Sequence, residues 1–345
     1  MIRTCVVAFF ATFLTTAAAS PAEWRPADGP LATRWAKLVS PENCRLEYPR
    51  PQMVRPAWQN LNGLWDYAIR PRDQDAPEAF DGRILVPFAA ESALSGVMKP
   101  VGEANRLWYR RTFDAAKPKD GGRLLLHFEA VDWQATVWVN GHKLGEHKGG
   151  YDAFAFDVTD ALEDSGAQEI VVAVWDPTDS GSQPRGKQVA EPRGIWYTSV
   201  TGIWQTAWLE PVPAASIASL RPVPDGDGGC LRLHVRLRGG RERDIVEATA
   251  KDGQTVVATA RGGPQEPLVL KIADAKLWSP DSPFLYDLEV ALHRDGKPLD
   301  RVTSYFGMRK IAVDKDEQGV PRLFLNGKPL FQYGPLDQGW WPDGL

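Results

Sequence analysis

The sequence predicts an all-β chain, with two antiparallel β-sandwiches in tandem followed by the opening of a third and different unit. Three observations carry this. Short runs of alternating apolar and polar residues recur at roughly 8–12-residue spacing, with turn signals between them. No stretch long enough for a helix keeps a 3.6-residue apolar period. The composition leans to Trp (14), Gly (31) and Pro (28), which suits short strands joined by tight turns.

The elements follow in order. Residues 1–20, MIRTCVVAFFATFLTTAAAS, begin with Arg3, run apolar from Cys5 to Thr16 and end on Ala17-Ala18-Ala19. That is the layout of a secretory signal, so the mature chain is expected to be secreted or periplasmic. The apolar run is too short to span a bilayer comfortably, and no membrane partner is expected after cleavage. Residues 21–45 form a leader rich in Pro and Arg, a character that persists to about residue 57, and they are expected to wrap or trail.

A first sandwich is assigned to 46–212. In LWDYAIR, Trp65, Tyr67 and Ile69 share one strand face while Asp66, Ala68 and Arg70 take the other. RLWYRRTF and RLLLHFEAV alternate likewise, and ATVWVNGHKLGE is a hairpin turning at Asn140-Gly141. AFAFDV and EIVVAVW supply further strands. A second sandwich, immunoglobulin-like in cadence, is assigned to 213–318. CLRLHVRLRG sends Leu231, Leu233, Val235 and Leu237 inward and Arg232, His234, Arg236 and Arg238 outward; DIVEATAKDGQTVVATA turns at Asp252-Gly253. In residues 319–345 a hairpin at Asn326-Gly327 precedes PLFQYGPL, which is apolar at nearly every position. Such a run suits a strand buried on both faces in a parallel sheet.

Net charge is −4, with 40 basic and 44 acidic residues intermixed, and no basic stripe suggests a nucleic-acid partner. The mature chain keeps Cys44 and Cys230, which lie far apart in sequence and do not mark a disulfide scaffold. The stretch GIWYTSVTGIWQTAWLEP (194–211) nearly repeats itself. Trp204, Thr206 and Trp208 project to one face, and Ile203, Gln205, Ala207 and Leu209 to the other. Trp204 and Trp208 are therefore expected in the core, and Trp196, after a long polar loop, in the open. Gly194 and Gly202 mark backbone bends or close approaches.

GIWYTSVTGIWQTAWLE resembles the signature that closes the sugar-binding domain of glycoside hydrolase family 2, the family of β-galactosidases, β-glucuronidases and β-mannosidases. LNGLWDYAI, LWYRRTF, HFEAVDWQATVWVNGHKLGEHKGGYDAFAFDVT, LWSPDSPFLYDLEV, YFGMRKIAV and RLFLNGKPLFQYG are similar in the same order, over nearly the whole mature chain. The resemblance implies a jelly-roll-like sugar-binding sandwich, then an immunoglobulin-like sandwich, then at 319–345 the truncated first strand of a catalytic (β/α)₈ barrel. With its neighbours missing, that stub is expected to expose apolar surface and to self-associate.

The implied activity is hydrolysis of a β-glycoside with retention of configuration. It needs two carboxyl groups about 5–5.5 Å apart. In the family both are glutamates on later barrel strands, and neither has a counterpart here, so no catalytic residue is carried over and the chain alone is expected to be inactive. A stand-alone carbohydrate-binding module or a purely structural sandwich pair are the other readings. No cofactor or metal is expected. His142 and His147 bracket a hairpin without a third ligand, Asp157 and Asp160 suit a strand end and cap, and Asp225-Gly-Asp-Gly suits a turn. The resemblance does suggest contacts to a carbohydrate substrate. Asn105 sits near an asparagine used by galactosidases. Arg185, Lys187 and Gln188 lie in the polar loop 179–194, and Asp337, Gln338 and Trp340 stand where relatives begin their active-site wall. GPLDQG departs from the galactosidase pattern there.

Overall fold

The computed structural model describes residues 24–345; the expected signal segment, 1–20, lies outside the described residues. The first sandwich has a six-stranded antiparallel sheet ordered Gly82–Val86, Gly63–Pro71, Asn105–Phe113, Gln168–Trp175, Gln134–Val139, His142–Lys148. Facing it is a four-stranded sheet of Gln59–Asn60, Ala207–Val212, Arg123–Phe128 and Phe154–Asp157. Strand parity decides the core. Trp65, Leu107, Tyr109, Leu126, Phe128, Ile203 and Leu209 all point between the sheets and are fully buried. Trp65 also donates its indole N–H to the Leu61 carbonyl at 2.9 Å, so its polar edge is satisfied inside the core.

The second sandwich pairs a three-stranded sheet (Ser216–Asp225, Cys230–Arg238, Leu268–Lys271) with a four-stranded one (Thr255–Gly262, Ile245–Asp252, Tyr286–Arg294, Lys297–Phe306). Seven strands in two antiparallel sheets match the immunoglobulin-like constant pattern. Leu231 and Leu233 are buried and Arg232 is exposed, following the alternation. The hairpin expected at Asp252-Gly253 turns one residue later, on Gly253-Gln254, with Asp252 still paired to Thr255, whereas the Asn-Gly hairpins turn where expected: Asn140 and Gly141 have φ 48° and 76°, and Asn326 and Gly327 have φ 51° and 76°. Both central residues of such a turn need the left-handed region, which Asn and Gly tolerate best.

The leader wraps. Ala27 donates to the Ala93 carbonyl at 2.9 Å, and Val54 forms a bridge with Thr303 of the second sandwich. Trp208 shows why this matters. It is fully buried, yet it points away from the inter-sheet core. It stacks on His127 at 4.0 Å and lies under Tyr48 and Trp58 of the leader region. Arg55, from the same segment, is the seam between the sandwiches. It forks onto Asp300 at 3.1 and 2.6 Å, reaches Glu210 at 2.8 Å and donates to the Ile217 carbonyl at 2.7 Å. Glu210 also receives Arg50 at 2.5 Å and His127 at 3.1 Å.

Two expectations need correction or closure. PLFQYGPL is not a strand. After a small meander of Ile311–Lys315, Pro321–Leu325 and Lys328–Pro329, the chain runs irregularly, with Phe331 83%, Tyr333 93% and Leu336 84% exposed. A strand apolar on both faces forms only between paired neighbours, and none flanks this segment among the described residues. Cys44 and Cys230 are separate buried free thiols.

Candidate functional site

The long polar segment between strand Gln168–Trp175 and Gly202 is tied down at its ends and middle by buried carboxyl groups. Asp176, just past the strand, accepts from the Thr178 backbone N–H at 2.8 Å. Glu91 accepts from the Thr201 N–H at 2.8 Å. Asp132 accepts from the Gln188 side-chain amide at 3.0 Å, and the Gln188 carbonyl oxygen in turn accepts from the Val200 N–H at 2.7 Å. Gln188–Val189 and Tyr197–Thr198 pair as a short parallel ladder, helped by Tyr197 N–H donating to the Lys187 carbonyl at 2.9 Å. The result is a rigid base that presents Lys187 and Tyr197 outward.

Residues 337–340 lie against that base. The Lys187 ammonium donates to the Gln338 side-chain oxygen at 2.5 Å, and Tyr197 and Trp340 stack with centroids 5.2 Å apart and planes 2° from parallel. Together with Asp337 and Gly339 they line an open cleft of about 330 Å³. The Trp340 indole N–H is buried without an acceptor, and Asp337 caps the Gly339 N–H at 2.9 Å. An ammonium, a carboxylate, an amide and an aromatic pair offer both donors and acceptors beside an apolar plane, which suits a polyhydroxylated ring. A larger groove of about 920 Å³ runs between the leader, Trp204 and Trp341. Its charged side chains are already engaged: Arg45 with Glu47, Glu129 with the Trp208 indole, and Asp343 with the Thr33 N–H. Lys187 and Asp337 are engaged too, with Gln338 and the Gly339 N–H, so the smaller cleft is preferred for the chemistry of its lining, a polar set beside a stacked aromatic pair.

The sequence-derived residues divide accordingly. Lys187, Asp337, Gln338 and Trp340 meet in one cleft. Gln188 is 2% exposed and belongs to the base beneath it. Arg185 turns back to the Asp179 carbonyl at 2.7 Å, and Asn105 closes its own turn onto the Val101 carbonyl at 2.8 Å. Tyr197, Asp132 and Glu91 were not singled out from the sequence. Tyr197 sits inside the quoted signature, and only its partner, Trp340, reveals its role. His147 stacks on Phe154 at 4.1 Å, and Asp157 and Asp160 both receive Arg123, at 2.6 and 2.7 Å.

The base has unusual electrostatics. Burial pushes the Asp132 carboxyl up to about 7, reinforced by the nearby Asp176 charge and only partly opposed by Gln188. Burial pushes Glu91 up to about 8, more than its Thr201 hydrogen bonds lower it. Asp176 is raised by burial as well.

Comparison with known proteins agrees with this architecture. Residues 84–199 match the family model described as glycosyl hydrolase 2 galactose-binding domain-like, and residues 232–309 match glycosyl hydrolases family 2. A β-glucuronidase of Bacteroides fragilis is 26% identical over 291 residues, covering 79% of this chain and 40% of the relative. A β-galactosidase of Thermoanaerobacter pseudethanolicus is 27% identical, covering 65% of this chain and 30% of the relative. The solved β-glucuronidase from Ruminococcus gnavus in complex with D-glucuronic acid superposes with a TM-score of 0.68 at 18% identity, over 84% of this chain and 52% of that one. Fold and matches define a tandem of a sugar-binding-type sandwich and an immunoglobulin-like sandwich. More particularly, the chain belongs to glycoside hydrolase family 2 and corresponds to the N-terminal part of its glycosidases, spanning half or less of the two relatives named first.

Proposed function

We propose that this chain supplies the exported N-terminal part of a retaining β-glycosidase, and that its cleft forms a wall for a terminal sugar. The carrying observation is the meeting of Lys187 and Tyr197 with Gln338 and Trp340, segments about 150 residues apart in sequence. In this reading the wall positions and the reaction's two carboxyl groups are not among these residues. The chemistry of the cleft supports that division. Asp337 is its one carboxylate, exposed and engaged with the Gly339 N–H, and retaining hydrolysis needs two carboxyl groups about 5–5.5 Å apart. Asp132 and Glu91 are sealed beneath the loop and serve to hold it.

The test is to offer the purified chain a panel of aryl β-glycosides. The expected outcome is contact at the wall with no aryl release above blank. Release that scales with protein concentration would overturn the division of labour.

A further inference from the structure

Three buried carboxyl groups help to hold the segment that carries the wall, and none of the three has a cation beside it among the described residues. We infer that Asp132, acting through Gln188, is the positioning residue for Lys187 and Tyr197, and that the buried carboxyl set of Asp132, Asp176 and Glu91 makes the order of the wall depend on pH. The inference rests on reading that cleft as the substrate wall.

The geometry runs in one chain of contacts. Asp132 lies on the short strand Val131–Asp132, whose partner is Gly202–Ile203, so it is anchored in the sandwich independently of the loop. Its Oδ2 receives Gln188 Nε2 at 3.0 Å, and Gln188 is the residue next to Lys187 and the ladder partner of Tyr197. Through that bond Asp132 holds the neighbour of one wall residue and the ladder partner of the other. The opposite carboxylate oxygen lies against Gly150, where an added Cβ would fall 2.5 Å away, so the loop packs this closely on Asp132 only because residue 150 is glycine.

The titratable groups around the set are few. Asp132 faces Asp176 and the Tyr151 hydroxyl, which also receives Gln188 at 3.4 Å. Glu91 faces Asp176 and the buried Tyr109 phenol, and its Oε1 is buried without a partner. Asp176 faces Asp179, and its Oδ2 receives the Thr178 and Thr201 hydroxyls, each at 3.3 Å. All the charges are of one sign.

The direction follows from burial. With Asp132 raised to about 7 and Glu91 to about 8, both are neutral in mild acid. A carboxyl whose folded pKa is raised above its unfolded value loses stabilising power as pH climbs from the unfolded to the folded value. Above that window, two or three anions share a dry pocket. Relief comes from opening the loop, which admits water to the carboxylates and releases Lys187 and Tyr197.

Hydrogen exchange of the 188–201 amides, corrected for the intrinsic base-catalysed rate, reads this directly. Between about pH 6 and pH 8.5, protection there is expected to fall about tenfold if opening restores an ordinary carboxyl to Asp132. Strand residues 231–237 of the second sandwich should show no such change. Asp132→Asn keeps an acceptor for Gln188 but removes the proton; it is expected to reduce the slope to the part that Glu91 and Asp176 contribute. Glu91→Gln is expected to reduce the slope, and it stands as the second variant should Asp132→Asn fold poorly. Wild-type protection independent of pH would overturn the inference, as would an unchanged profile in both variants. Titrating p-nitrophenyl β-glycosides at both pH values separates the two readings. If none perturbs Trp340 while the exchange profile holds, the substrate reading of the wall fails and the positioning inference stands.

Discussion

Arg55→Ala is the perturbation whose cost can be worked most fully from the structure. The guanidinium is buried, with side-chain exposure of 5%, and its two acidic partners expose 1% (Glu210) and 4% (Asp300). Truncation removes the fork onto Asp300, the bond to Glu210 and the bond to the Ile217 carbonyl. Asp300 keeps the Ile217 and Arg301 backbone N–H groups, and Glu210 keeps Arg50 and His127. Both carboxylates stay in place with one fewer cation between them. Breaking a buried pair this way costs about 3–5 kcal/mol. For domains of this size, that lowers Tm by roughly 10 °C. Arg55→Lys retains the charge without the fork and should fall between.

The acid limb gives an independent check. Burial would raise the Glu210 carboxyl, but the His127 hydrogen bond and the Arg50 and Arg55 charges prevail and hold it at about 2 rather than 4.5. A lowered carboxyl stabilises the fold above its unfolded value and loses that contribution as pH falls through the folded one. The wild-type seam therefore weakens between about pH 4.5 and 2, and in Arg55→Ala, where Glu210 is held less far down, the pH-dependent loss should be smaller and complete at a higher pH. Calorimetry across that range reads both. A loss below about 1 kcal/mol at neutral pH, or an unmoved acid limb, would refute the claim that Arg55 joins the sandwiches.

The two glycines of the near-repeat should behave differently. Gly202 has φ +106° and a Cβ there would fall 2.0 Å from the Tyr109 hydroxyl oxygen, so Gly202→Ala is expected to cost about 3 kcal/mol or more in urea denaturation. Gly194 has φ +61° but open space around it, so Gly194→Ala should cost only the left-handed strain, about 1 kcal/mol. Cys44, whose thiol is raised by burial to about 11, and Cys230, also buried, should resist alkylation in the native protein and react on unfolding.

The parts legible in the sequence were those fixed by local rules. Alternation placed Trp65 and Leu231 in the cores, and Asn-Gly set the turns at 140–141 and 326–327. Trp208 was legible as buried but not as buried beneath the leader, because the segment 48–58 has no period and owes its place to Arg55 and Tyr48 contacts distant in sequence. The reading of 330–336 as a strand rested on composition, whereas strand formation depends on neighbours that composition does not report. At the site, the family resemblance pointed to Lys187, Gln338 and Trp340, and their meeting is a tertiary fact. Gln188 looked like a sugar ligand because it is polar and sits in a polar loop. Its side chain instead satisfies Asp132 and Val200, which only burial shows.

The account turns on whether the Lys187–Trp340 cleft meets a sugar. Its most direct measurement is ¹⁵N NMR of the tryptophan indoles during titration with the aryl β-glycosides, with aryl release followed in the same tube. The predicted result is a saturable shift of the Trp340 indole, abolished by Lys187→Ala, with Trp65 and Trp208 unmoved and no release. A Trp340 signal indifferent to every glycoside in the panel, in a protein whose other indoles report a native fold, would contradict it.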